Sequence, residues 1–178
     1  MRYLWVRLHL WMASFLCTIL LMIAVSGGLY LFDQKGETVA TKVAVPEGLT
    51  IDLTSSTLES EVRALFLDAG IEHDFEYIRS SGTTLVTRPT SRTYYEIKVA
   101  SSALSVTRHE PDLIKSIVEL HKGHGPTLYK RFQQFAAAGL IFVLLSGLWL
   151  GVSAKGLRKQ TLAAVGVGLV VFATLALN

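Results

Sequence analysis

Three long segments without charged side chains dominate the pattern of the chain. Residues 8–32, 132–154 and 160–178 contain no Lys, Arg, Asp or Glu. A helix of 25 residues, the length of the first segment, is about 37 Å long, whereas the hydrocarbon core of a bilayer is about 30 Å thick. The first segment also exceeds the apolar core of a signal peptide, about 7–15 residues. The pattern predicts three membrane-spanning helices, of which the first is an uncleaved anchor.

The segment between the first two predicted spans has the shorter periods of a folded domain. Helical spacing of apolar residues predicts one helix at residues 57–69 and a second that begins at Pro111. Between them, short β-prone runs alternate with turn residues, as in a meander of hairpins. The predicted runs are residues 74–79, 84–88, 93–100 and 104–108, with a further strand at 38–45 and turns at 46–48 and 101–102. This predicts a small α+β unit of helix, antiparallel sheet and helix.

These patterns divide the chain into five parts. We predict an N-terminal stub with the first span, an external α+β domain, a second span, a short cytoplasmic loop and a third span. Their respective bounds are residues 1–32, 33–131, 132–154, 155–159 and 160–178.

The distribution of charge predicts an orientation. All 14 acidic residues lie between Asp33 and Glu119. Five basic residues flank the spans without any acid nearby, as expected of cytoplasmic loops under the positive-inside rule and not of a nucleic-acid-binding surface. They are Arg2, Arg7, Lys155, Arg158 and Lys159. We therefore expect a cytoplasmic N-terminus, with residues 33–131 and the C-terminus on the other side.

Two short sequence words occur twice. Leu-His at residues 8–9 precedes SGGLYLF at 26–32, and Leu-His at 120–121 precedes SGLWLG at 146–151. By the predicted topology, the two copies cross the membrane in opposite directions. This resembles an inverted-topology repeat.

Four motifs resemble those of PepSY-associated transmembrane (PepSY-TM-like) proteins: RLHLW at 7–11, SGGL at 26–29, LHKG at 120–123 and SGLW at 146–149. The resemblance implies a PepSY-like domain between spans in a bacterial inner membrane, with residues 33–131 and the C-terminus in the periplasm. Larger members have four or more spans, and some resemble ferric-siderophore reductases that carry haem b. This chain looks like a single short unit and departs from the pattern by the insertion His124-Gly125-Pro126.

Three histidines are candidate haem ligands: His9, His121 and His124. His9 lies at the predicted cytoplasmic start of the first span, where it either contacts headgroups or carries ligand or proton chemistry. His121 and His124 share one side if the helix continues, but the nearby glycines favour a frayed loop. His73 and His109 are expected on the solvated surface.

The predicted topology places His9 and His121 near opposite membrane faces, on the order of 25–30 Å apart. Both cannot ligate one haem within one chain. A bis-histidine site would therefore need a second copy, a partner subunit, or the His121/His124 pair with rearrangement.

The chain carries no recognisable catalytic motif: HExxH, GxSxG and the P-loop are absent. No catalytic residue and no metal site is predicted, and the leading interpretation is that the protein is not an enzyme. We expect an inner-membrane accessory protein, with a membrane or periplasmic protein partner or as a homo-oligomer. Its external domain would bind the partner at the sheet edge. Two alternatives remain: a haem-b-binding redox component linked to iron-siderophore reduction or respiration, and a lipid-binding scaffold.

Overall fold

The computed structural model describes residues 2–46, 49–53, 55–100 and 104–177. The predicted turns at 46–48 and 101–102 lie wholly or in part outside these residues. In chain order the described elements are α1 (Arg2–Leu31), β1 (Thr38–Val43), α2 (Leu58–Asp68), β2 (Tyr77–Ser81), β3 (Thr84–Arg88), β4 (Tyr94–Val99), β5 (Leu104–Pro111), α3 (Leu113–His121), α4 (Thr127–Ser153) and α5 (Arg158–Leu177).

Within the described residues, α1, α4 and α5 are the three helices long and apolar enough to cross a membrane. They contain 30, 27 and 20 residues. The first helix begins well before the uncharged segment and includes Arg2 and Arg7. Helix α4 begins directly after Pro126, and the carbonyl of Pro126 accepts a hydrogen bond from the amide of Lys130. Proline suits the start of a helix because its missing N–H would have no partner there.

The sheet is antiparallel, with the strand order β1-β5-β4-β3-β2. It lies between helices along the chain, so the predicted mixture of helices and antiparallel sheet is confirmed. The third strand has its predicted bounds. The fifth continues to Pro111, beyond the predicted end at residue 108, because β1 pairs with it from Thr38 opposite Pro111 to Val43 opposite Val106.

The hydrophobic core of the domain lies between α2 and one face of the sheet. From α2 it receives Val62, Leu65 and Phe66. Leu85, Ile97 and Val106 come from neighbouring positions on β3, β4 and β5. All six side chains are buried; complete burial of one such side chain contributes roughly 1.5–3 kcal/mol.

The chain divides into two compact units, Met1–Leu21 with Gln134–Asn178, and Met22–Gln133. In the first unit, α1 and α4 pack closely at Gly139, where an added Cβ would overlap Leu16. Trp5 stacks on Phe142 nearby, with ring centroids 6.3 Å apart. The described residues of α5 include none that is buried. The second unit contains the sheet, α2 and α3.

Candidate functional site: two histidine–serine pairs

The first unit contains a hydrogen-bonded pair between α1 and α4. The Nδ1 atom of His9 lies 2.9 Å from the Oγ of Ser146. Ser146 is buried, and His9 is half-buried. The next residue, Gly147, faces the imidazole closely: a Cβ there would lie 3.2 Å from the Cε1 of His9. The Ser-Gly step therefore supplies both a hydrogen-bond partner and the space for the ring.

The second unit contains the same arrangement with other residues. His121, the last residue of α3, places its Nδ1 2.7 Å from the Oγ of Ser26 on α1. Ser26 is buried, whereas His121 is exposed. A Cβ on Gly27 would lie 3.3 Å from the Cε1 of His121. Each Leu-His word of the sequence therefore pairs with the Ser-Gly word of the other copy.

The serine hydrogen bonds favour a proton on the Nδ1 of each histidine. Ser26 Oγ donates to the carbonyl of Ile23, and Ser146 Oγ donates to the carbonyl of Val143, both at 3.1 Å. A hydroxyl has one proton, so each serine that donates there can only accept from its histidine. We assign the Nδ1–H tautomer to both His9 and His121 because it satisfies both hydrogen bonds of each serine.

This tautomer leaves the Nε2 lone pair of each histidine available. Among the described residues, neither Nε2 has a hydrogen-bond partner. Ligand histidines in metal and haem proteins have this state: one nitrogen binds the ligand while the other donates to an orienting group. The pairs therefore match the chemistry of a ligand site.

Apolar grooves accompany both pairs. A groove of about 400 Å³ lies beside Ser146, and one of about 210 Å³ lies beside His121. The first is lined by Trp5, Phe142, Leu145, Ser146 and Trp149. The second is lined by Ser26, Gly27, Tyr30, Leu31, Val118, His121 and Lys122. Mostly apolar walls with a few polar groups are typical of sites for cofactors.

The third candidate, His124, has different surroundings. The third helix ends at His121, and Gly123 has a φ of +75°, so the helix does not continue to residue 124. His124 Nδ1 lies 2.6 Å from the Oε2 of Glu119. The Oε2 of Glu119 also accepts from Thr90, and its Oε1 accepts from Lys122. Burial by itself raises the pKa of Glu119, but these hydrogen bonds outweigh it and lower the pKa to about 2.

Neither His73 nor His109 is fully solvated. The ring of His73 lies 4.8 Å from the ring of Tyr95, and burial lowers its pKa. His109 stacks on Tyr94, also at 4.8 Å between centroids. The expectation of a solvated surface was wrong for both, because each ring packs on a tyrosine of β4.

Each pair offers a single imidazole nitrogen and not a cluster of metal-binding side chains. The described residues contain no group of three or more His, Cys, Asp or Glu side chains arranged to hold a metal ion. A haem iron needs only one or two axial ligands from the protein. Single histidines with a free Nε2 beside apolar grooves fit that requirement.

Long apolar helices and an antiparallel sheet define an α+β membrane protein. The chain belongs to the PepSY_TM-like family, whose model matches residues 3–178. This confirms the resemblance seen in the histidine and glycine motifs and indicates a membrane-associated PepSY protein. No curated protein and no solved structure matches the chain significantly.

Proposed function

We propose that this protein is a haem-b-binding redox component of the bacterial inner membrane, with His9 and His121 as iron ligands. The observation that supports the proposal is the repeated histidine–serine pair. In both pairs a serine holds Nδ1–H at 2.7–2.9 Å and leaves Nε2 without a partner among the described residues. Each Nε2 lone pair is then free to bind an iron, while the serine orients the ring from the other side.

Each residue of a pair has a distinct role in this proposal. The histidine would hold the haem iron through Nε2, and the serine would fix the ring orientation and the tautomer. Gly27 and Gly147 leave space for the rings, and the grooves beside the pairs offer apolar walls. Haem b, when bound, supplies one-electron chemistry at a potential that its ligands and surroundings determine. In larger relatives such chemistry would serve iron-siderophore reduction or respiration.

The two histidines serve separate haems. Ser26 lies 17 residues after His9 on the continuous helix α1, which corresponds to about 26 Å. By the predicted topology, His9 and His121 lie near opposite membrane faces, so they would not share one iron in one chain. A second axial ligand would come from another copy or a partner subunit. His124 remains a candidate ligand through Nε2, because its Nδ1 is the atom held by Glu119.

Visible spectra of the protein purified in detergent from haem-replete cells test this proposal. We expect a Soret band that sharpens on reduction with dithionite. His9→Ala and His121→Ala should each remove part of the absorbance, and the double variant should remove nearly all of it. His109→Gln is the matched control, because His109 stacks on Tyr94 and lies in neither pair. A featureless wild-type spectrum would exclude the haem-binding proposal.

We also propose the orientation that the charge pattern predicts. The N-terminus and residues 155–159 would lie in the cytoplasm, and the sheet domain and C-terminus in the periplasm. The basic residues beside the apolar helices support this orientation. A cysteine introduced at Asp68, exposed at the end of α2, tests it in a Cys17→Ser background. We expect labelling by a membrane-impermeant maleimide in intact spheroplasts, and labelling only after lysis would reverse the orientation.

A second candidate function is binding of a protein partner by strand addition, in an accessory role without catalysis. Its support is that β1 and β2 are the outer strands of the sheet and that β1 exposes Val39. An outer strand offers unpaired backbone groups to an extended segment. A photo-crosslinking residue at position 40 of β1 should then form a specific adduct in membranes. The same residue at Glu61, half-buried on α2, should not, and equal crosslinking at both positions would contradict docking at this edge.

A further inference from the structure

We propose that Glu119 is a positioning residue that ties the turn between β3 and β4 to the His121–Ser26 pair. This deepens the proposed function because it assigns a structural control to one of its two ligand positions. The link itself is made of hydrogen bonds among protein residues. It can therefore be tested whether or not haem is bound.

The carboxylate of Glu119 is the centre of the link. Its side chain is only 8% exposed, and four donors surround it. Oε2 accepts from Thr90 Oγ1 at 2.8 Å and from His124 Nδ1 at 2.6 Å. Oε1 accepts from Lys122 Nζ at 2.8 Å, and Lys115 Nζ lies 3.7 Å away. A buried carboxylate with this many partners has one strongly preferred position.

On the sheet side, the link ends at Thr90 in the turn after β3. Thr90 Oγ1 donates to Glu119 and accepts from Arg88 Nη1 at 2.8 Å. The backbone N–H of Thr90 also donates to the carbonyl of His124 at 3.1 Å. Both Thr90 and Arg88 are buried. The turn is therefore joined to the segment after α3 by side-chain and backbone bonds together.

On the membrane side, the link ends at His121, two residues after Glu119. The amide of His124 donates to the carbonyl of Glu119 at 2.9 Å and closes the loop around Gly123. Gln133 Nε2 donates to the carbonyls of Leu120 and His121, at 2.8 and 3.3 Å. The backbone that carries His121 is therefore held from both sides, and its ring reaches Ser26 from a fixed base.

A displacement of the β3–β4 turn consequently acts on His121. If Thr90 moves, Glu119 loses one of its donors and the segment 119–124 loses a backbone bond. An event at the sheet, such as the binding of a partner, would then change the His121–Ser26 contact. The His9–Ser146 pair has no such group bonded to it among the described residues, so it serves as an internal reference.

Nuclear magnetic resonance of the full-length protein in detergent, without added haem, tests this link. The histidine Cε1–H signals are assigned by single substitutions. We expect Thr90→Val and Glu119→Gln each to move the His121 signal by at least half of the shift that Ser26→Ala produces, with the His9 signal unchanged. Thr83→Val is the matched control, because Thr83 is exposed in the turn between β2 and β3, and it should move neither signal.

Two results would overturn the inference: a His121 signal that stays in place in Thr90→Val, or His9 and His121 signals that move together. The second result, in a variant that remains folded, would show that the turn has no selective connection to His121. Thr90→Val keeps the test valid if Glu119→Gln fails to fold. A colourless protein that still shows the His121 shift would disprove haem binding alone, whereas a haem protein without the shift would disprove the link alone.

Discussion

The two histidine–serine pairs have the same local geometry in different surroundings. Each has Nδ1 bonded to a buried serine, a glycine against Cε1 and an apolar groove nearby. His9 belongs to a long apolar helix and faces another. His121 is the last residue of the short helix α3, and the last turn of that helix carries the buried, charged Glu119. The same two short motifs therefore form both pairs, whereas the surroundings decide what can act on each pair.

The ability to bind a ligand is common to both pairs, whereas a connection to the sheet domain belongs to one of them. Both pairs have what an axial ligand needs, namely a fixed tautomer and an available Nε2. Only the His121 pair is joined by hydrogen bonds to the sheet domain within the described residues. We therefore expect variants in the sheet to affect one pair and leave the other unchanged.

Acid should have the largest effect on the stability of the protein, and it should act through Glu119, next to the His121 pair. The pKa of Glu119 is about 2 in the folded chain, below its ordinary 4.5, so the folded state binds fewer protons than the unfolded state. Stability from this group is complete above pH 4.5 and is lost as pH falls towards 2, by on the order of 3 kcal/mol. Unfolding of the sheet domain followed by tyrosine circular dichroism should show this loss.

Glu119→Gln is the control for the acid prediction. It removes the titrating group, so the stability of the variant should be lower at pH 7 and should depend less on pH between 4.5 and 2. An equally steep dependence in the variant would assign the acid sensitivity to other carboxylates.

An intermediate effect is expected when either serine is removed. Ser26→Ala and Ser146→Ala should each destabilise the protein by about 1 kcal/mol, the typical net contribution of a hydrogen bond. Because 17 residues of helix separate His9 and Ser26, the effects should add within about 0.5 kcal/mol in the double variant. Thermal unfolding in detergent measures all three. A clearly non-additive result would show that the pairs are coupled.

The smallest effect is expected from the glycines against the rings. In Gly27→Ala and Gly147→Ala the new Cβ would lie 3.3 and 3.2 Å from the facing Cε1, so each ring must move by a few tenths of an ångström. Each variant should shift only its own histidine Cε1–H signal and destabilise the protein by less than about 1 kcal/mol. Gly28→Ala is the control, because nothing lies within 4 Å of its added Cβ. A shift in Gly28→Ala as large as in Gly27→Ala would contradict the assigned contact.

The sequence predicted the elements better than the contacts between them. Uncharged length identified the three long helices, and β-prone runs between turn residues identified the strands. Pairing with β1 extended β5, which no local pattern in β5 could show. His9 and His121 were recognised as candidate ligands, yet nothing connected them to Ser146 and Ser26.

The serine partners were missed because each hydrogen bond joins residues far apart in the chain. Ser146 is 137 residues from His9, and Ser26 is 95 residues from His121. The repeated Leu-His and Ser-Gly words were the available signal, and the exchange between copies was not inferred from them. The Glu119 cluster was missed for a similar reason, since Thr90 comes from a turn 29 residues earlier.

The most direct test of the account is the tautomer of the two histidines. Long-range ¹⁵N–¹H correlation of the haem-free protein at neutral pH distinguishes a proton on Nδ1 from one on Nε2. We predict Nδ1–H with an unprotonated Nε2 for both His9 and His121, and loss of this preference in Ser146→Ala and Ser26→Ala respectively. A proton on Nε2 in either wild-type ring would contradict the account, because that nitrogen would then have no lone pair for a ligand.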